Sequence, residues 1–254
     1  MTAYPDVLVP PGGVAPVPRR VRGLLGGVWV FDTETALYVW EWPPYPQYYI
    51  PLADVDAALL ADEGRTEETA RGTAAIRGLR VGETTRPGAV RVFGEDAPQA
   101  LRRTARFDWA ALDAWFEEDE QVYVHPRNPY ARVDAVRATR SVRVELDGVV
   151  LAEAGSAVIV YETGLPPRYY LDRTALRLEH LVPSDTVTSC PYKGDTSQYW
   201  SVRVGGTLHE DLAWSYAYPT RQLLPVAGLV AFYNEKVDLV VDGRRLDRPV
   251  TPFS

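Results

Sequence analysis

Hydrophobic and polar positions in this chain alternate far more often than they recur at helical spacing. In SVRVEL, Val142, Val144 and Leu146 fall on one side and polar residues on the other, the period of a half-buried strand. Asp147-Gly148 follows, a pair suited to the positive φ of a tight hairpin, and VVLAE forms the return strand. In QYWSVRVGG, Trp200, Val202 and Val204 share a face, and Gly205-Gly206 marks the next turn. AVIVYE and VDLVVDG add two more strands. Helical signals are few and short. LADVDAALLADEG carries Val55, Ala58 and Leu59 on one face and predicts a helix. DWAALDAWF predicts another, with Asp108 as its N-cap.

The pattern occurs twice. GVWVFDTETALYVWEWPPYPQYYIP, from Gly27, aligns with GVVLAEAGSAVIVYETGLPPRYYLD, from Gly148, at an offset of 121. Val39 meets Val160, Glu41 meets Glu162, and Tyr48-Tyr49 meet Tyr169-Tyr170. LRVGE at Leu79 then aligns with VRVGG at Val202, and LDAWFEEDE at Leu112 with LVAFYNEKV at Leu229. That last pairing sets a helical pattern against a strand-like one, GLVAFYNEKVDLVV. The expected fold is mainly β: two homologous small antiparallel β domains, tent-like or barrel-like, with a few short helices. Residues 1–20, rich in proline and glycine, read as an extended arm. Residues 21–130 form the first repeat, 131–140 a connector, and 141–254 the second repeat.

Composition narrows the partners. A net charge of −7 over 254 residues argues against nucleic acid and anionic membranes, which want a basic face. No apolar run approaches the length of a bilayer span, and the first residues lack a signal-peptide pattern. The single cysteine excludes an internal disulfide, and with three histidines and no CxxC a thiolate zinc site is not expected. We therefore expect a cytoplasmic protein with no metal and no organic cofactor, acting on or binding a small molecule. A homodimer is compatible with the sequence. Fifteen tyrosines and seven tryptophans supply rings with polar tips, suited to cores and to ligand pockets alike.

Residues common to both repeats read as fold; residues in one repeat only are freer to be chemistry. LVPSDTVTSCPYKGD has no faithful counterpart. In the first repeat Arg71-Gly72 answer Lys193-Gly194, and the thiol position falls at Glu68. Cys190 is a candidate nucleophile with Lys193 as the cation that favours its thiolate, and His180 or His209 a candidate base. Tyr170 and Tyr199 are candidates for moving protons. Glu162, Arg168, Tyr169, Trp214 and Tyr216 are candidate binding residues around them. The joint HPRNPYARVD adds His125 and Arg127, a pair able to hold a carboxylate or phosphate. Each has a plainer reading: a buried small thiol, a snorkelling lysine, core rings, a hydrogen-bonded hinge.

LVPSDTVTSCPYKGDTSQYWSV, EDLAWSYAYP and GLVAFYNEKVDLVVDG resemble the family known as domain of unknown function 427. FDWAALDAWFEEDEQVYVHPRNPY, VRVELDGVVLAE and ETGLPPRYYL resemble the bridge between two such copies in tandem. The resemblance implies small all-β units of two antiparallel sheets, and places Cys190, Pro191, Lys193, Gly194, Trp214, Tyr216 and Tyr233 on its motif. It implies no reaction. A nucleotidyltransferase-like label attached to the family finds no paired carboxylates with a Gly-Ser loop here. Two functions are therefore expected as alternatives: a metal-independent hydrolase or lyase, or a non-catalytic module that cages a small ligand in aromatic rings.

Overall fold

Alternation of the kind seen in SVRVEL gives strands with one buried face, and such strands need a second sheet to cover it. The computed structural model, which describes residues 13–251 and Ser254, arranges them as sandwiches. The chain divides between Pro129 and Tyr130 into two compact units, each with its own pair of antiparallel sheets.

In the first unit the larger sheet runs β1 (Val14–Pro16), β4 (Leu37–Val39), β5 (Gln47–Pro51), β9 (Thr104–Phe107), β8 (Thr84–Phe93), β7 (Gly72–Val81), β6 (Leu60–Thr69). The smaller runs β11 (Glu120–Val122), β10 (Ala114–Glu117), β2 (Val21–Leu25), β3 (Val28–Thr33). In the second unit the larger sheet runs β12 (Val133–Ala138), β15 (Ala157–Glu162), β16 (Arg168–Leu171), β22 (Val230–Phe232), β21 (Thr207–Ser215), β20 (Gln198–Val204), β17 (Leu181–Ser184). The smaller runs β14 (Val149–Ala154), β13 (Val142–Leu146), β23 (Asp238–Val241), β24 (Arg244–Arg245). The two orders correspond strand for strand. In the second unit the tip of the β17–β20 hairpin is a separate two-stranded ribbon, β18 (Ser189–Cys190) and β19 (Gly194–Asp195), where β6 and β7 of the first unit stay paired as far as Thr69 and Gly72. Both sheets of each unit are open, so the two-sheet form holds and the barrel form does not.

Each core lies between its two sheets. In the second unit Val142, Val144 and Leu239 of the small sheet meet Ile159, Leu171, Val202 and Phe232 of the large one. The intervening residues of the large sheet face the other way and build a second layer, with Val158, Val160, Tyr170, Tyr199, Trp214 and Ala231. The 3-10 turn Arg221–Val226 covers that layer with Leu223 and Val226, both fully buried. Among the described residues no helix is long and apolar enough to cross a membrane.

Three expectations change. Neither predicted helix forms. LADVDAALLADEG becomes two single 3-10 turns, Leu52–Asp54 and Ala57–Leu59, and then enters β6. Val55 bridges to Phe31 and Leu60 pairs with Leu79, so sheet pairing overrides local propensity. In DWAALDAWF, Asp108 makes no capping bond; its carboxylate goes to Arg91 at 2.8 Å and to Arg106. Ala114–Glu117 pairs with β2 instead.

The strand registers also move the last part of the repeat. Tyr49 faces Arg106 as Tyr170 faces Ala231, and Gly23 faces Trp115 as Val144 faces Leu239. Phe107 thus corresponds to Phe232 and Trp115 to Leu239. This is seven to eight residues away from the pairing of Leu112 with Leu229, and it removes the conflict of helix against strand. Finally, residues 133–138, read as connector, are the edge strand β12, the counterpart of β1. Val14–Pro16 of the expected arm is that strand, and residues 1–12 lie outside the described residues.

Candidate functional site

One cross-strand row organises the outer face of the second unit's large sheet. Val158, Tyr170, Ala231, Trp214 and Tyr199 stand opposite one another in successive strands. The equivalent row of the first unit reads Leu37, Tyr49, Arg106, Arg91 and Ile76. The second row is aromatic and roofed; the first carries two arginines joined through Asp108.

Glu162 leaves β15 on the same face as Val158 and Val160, two residues apart each time. Its carboxylate takes an ion pair from the Lys193 ammonium. Both side chains are largely covered, at 14% and 16% exposure, which withdraws the pair from screening by salt. Burial alone would push the Lys193 pKa down. The charges of Glu162 and of Cys190 and the hydrogen bond to Glu162 outweigh it, and the pKa is raised. Lys193 is therefore an ammonium at neutral pH, fit to hold negative charge and not to act as a base.

Cys190 opposes Gly194 in the small ribbon and is half-buried. Its thiol lies close enough to influence both Lys193 and Tyr216 electrostatically. The tip between them is tight. Lys193 N–H donates to the Cys190 carbonyl at 3.2 Å, and Gly194 sits at φ 93°. In the first unit Thr69 opposes Gly72, at φ 102°, so the thiol's structural counterpart is Thr69, not Glu68. Arg71 stands where Lys193 does, and its guanidinium donates to the Trp40 carbonyl at 2.6 Å. Glu41 there receives Tyr49 at 3.0 Å and Arg106 at 3.2 Å.

Tyr170 is 1% exposed, and burial pushes its pKa up to about 12. It stays a neutral phenol at physiological pH. Trp214 Nε1 donates to its oxygen at 3.2 Å, which leaves the hydroxyl proton free to be given elsewhere. Burial likewise raises Tyr216 well above the ordinary tyrosine range.

The remaining candidates separate from this cluster. Tyr169 follows the period of its strand into the main core on the opposite face from Tyr170. Tyr199 shares its hydroxyl with Thr188 and Tyr233, each at 3.1 Å, and is 3% exposed. Trp214 and Tyr216, 6% and 5% exposed, pack with Leu223 and Val226 as core. These rings do not form an open cage. Arg168, a candidate anion holder, spends its guanidinium on Glu235 at 2.7 and 3.0 Å and on Asn234, and lies over the adjoining rings of Trp214 and Tyr233. His125 and Arg127 belong to the first unit. There His125 stacks on Tyr45 at 3.6 Å, and Arg127 faces Glu120 at 3.9 Å. His180 approaches the Arg203 carbonyl at 3.3 Å, and His209 lies 3.7 Å from Asp147.

Sequence reasoning missed Thr188, Asn234 and Glu235. The last two would have stood out with the repeat aligned by strand register, because the first copy has Trp109-Ala110 there.

The family profile NTP_transf_9, described as a domain of unknown function (DUF427), matches residues 13–118 and again 134–243. No curated protein matches the chain.

Proposed function

The chain belongs to the DUF427 family in both of its copies, and from that premise we propose that the second copy is a hydrolase or lyase for a small molecule, working through its own side chains without a metal. The observation that carries this reading is the placing of a half-buried thiol beside a covered Lys193–Glu162 ion pair, at the turn where the first copy has Thr69 and Arg71.

Lys193 holds a fixed positive charge next to Cys190 where water screens it little, and so can balance negative charge that forms there during reaction. As a hydrolase, the thiolate sulfur adds to the carbonyl carbon of an acyl group. The oxygen's developing charge falls to Lys193, and Tyr170 is the hydroxyl within the same cluster able to give a proton. The leaving group departs with the bonding electrons and takes up a proton, and water then cleaves the thioester. As a lyase, the same thiolate would take a proton beside a carbonyl while a group leaves the neighbouring carbon. Glu162 is a positioning residue that fixes the ammonium. The lone free thiol also fits a reducing compartment, and we propose a cytoplasmic location on that ground.

The test is trapping with p-nitrophenyl acetate followed by peptide mass spectrometry. An acetyl group is expected on Cys190 in the native protein, absent in Cys190→Ser and formed about tenfold more slowly in Lys193→Met. Acetylation confined to surface lysines, with Cys190 unmodified, overturns the proposal.

A further inference from the structure

Tyr218 is 92% exposed, the most exposed of the large apolar side chains among the described residues. Among the described residues no hydrogen bond or ring contact holds its side chain. Its backbone is the reverse. Pro219 beside it is buried. A Cβ at Gly194 would lie 3.4 Å from the Tyr218 carbonyl and 3.7 Å from Pro219 Cα, so this loop packs directly on the turn that bears Cys190 and Lys193. Thr220 then locks the two segments together. Its N–H donates to the Lys193 carbonyl at 3.1 Å and its hydroxyl to the Tyr192 carbonyl at 2.6 Å. On the other side Gly228 N–H donates to the Tyr216 carbonyl at 2.8 Å. A free ring thus stands on a clamped backbone, at the edge of the proposed site.

The first copy supplies the comparison. There a Cβ at Gly72 would meet Ala97 and Asp96, the places taken by Thr220 and Pro219. The counterpart of Tyr218 is then Glu95, an exposed carboxylate 3.6 Å from Arg102. The copy with threonine in place of the thiol has an ordinary solvated ion pair at this spot; the copy with the thiol has a bare aromatic ring. A tyrosine loses few rotamers on binding and presents a flat apolar face, so a ring on a fixed backbone is ready to stack on a ligand.

Resting on the thiol reading above, we propose that Tyr218 determines specificity: it is the platform on which a planar, aromatic part of the substrate stacks while the attached carbonyl reaches Cys190. The substrate class is then an aryl-bearing acyl compound, not a small aliphatic one.

Two probes with one electrophile test this on the full chain. N-phenyl-2-chloroacetamide and N-methyl-2-chloroacetamide alkylate thiols alike and differ in the ring, and this protein has one thiol. The native protein is expected to prefer the phenyl probe beyond the preference of free cysteine. Tyr218→Ala should cut that preference about three- to tenfold, and Tyr218→Phe should keep it. An unchanged preference in Tyr218→Ala overturns the inference. If Cys190 reacts with neither probe, the thiol reading fails separately. Binding of unreactive acetanilide to Cys190→Ser, followed by NMR at the amides of Tyr218 and Gly194, then decides the inference alone. Saturable shifts, lost in the additional variant Tyr218→Ala, sustain it; no shift up to the solubility limit refutes it.

Discussion

Arg168 and Glu235 show how little residue type alone says about role. An arginine after a Pro-Pro turn reads as an anion holder, yet its fork is filled by a carboxylate with no exposed surface. Breaking such a pair leaves one buried charge uncompensated, so Arg168→Met should cost about 3–5 kcal/mol in urea unfolding. Arg168→Lys should rescue little, because an ammonium cannot bond both carboxylate oxygens in the same plane. The pair also sets an acid limb. Burial pushes the Glu235 carboxyl up, but hydrogen bonding and charge from Arg168 win, with Thr251 adding to them, and hold it below the ordinary 4.5. A carboxyl lowered by folding stabilises above its unfolded pKa and loses that contribution as pH falls through the folded value. Stability should therefore drop below about pH 4.5, and Glu235→Gln should flatten that part of the profile, measured by denaturation across pH 2–7.

The element scale is where duplication becomes a tool. Gly23 faces Phe31 across β2 and β3, and the same pair in the second copy is Val144 with Ala152. The total volume is kept while its owner changes strand. A Cβ on Gly23 would sit 2.5 Å from the Phe31 ring and 2.6 Å from Leu112. Gly23→Val should overpack the core by about 1–3 kcal/mol, and Phe31→Ala should cost about 3–5 kcal/mol through a cavity. The double variant should recover about 1–3 kcal/mol of their sum. Additive losses in thermal or chemical denaturation would contradict the shared-volume account. At the other end of the fold, Gly194 holds φ 93° against the Tyr218–Thr220 backbone. Gly194→Ala should lose about 1–3 kcal/mol and disturb Cys190 reactivity together with stability.

At the scale of the whole molecule, each unit carries a complete two-sheet core, so residues 130–254 should fold alone with a cooperative transition. Most of this plan was legible in the chain. Alternation in SVRVEL and the short apolar run AVIVYE disclosed strands, and the offset of 121 disclosed the two copies. The placing of Glu162 on the face of Val158 and Val160 follows from the period of two. That period, applied to Tyr169-Tyr170, would also have sent Tyr169 to the core. Pairings across the sheet were not legible: nothing local shows that Asp108 will serve two arginines instead of a helix, or that Glu235 will meet Arg168 across 67 positions. Those are products of long-range register, which local periodicity does not contain.

The proposal that Cys190 is a nucleophile assisted by the covered Lys193–Glu162 pair is tested most directly by the alkylation rate of Cys190 with iodoacetamide at neutral pH. The native protein should react faster than the same chain unfolded in urea, and Lys193→Met should remove about tenfold of that rate. A native thiol slower than the unfolded one, and indifferent to the loss of Lys193, would contradict it.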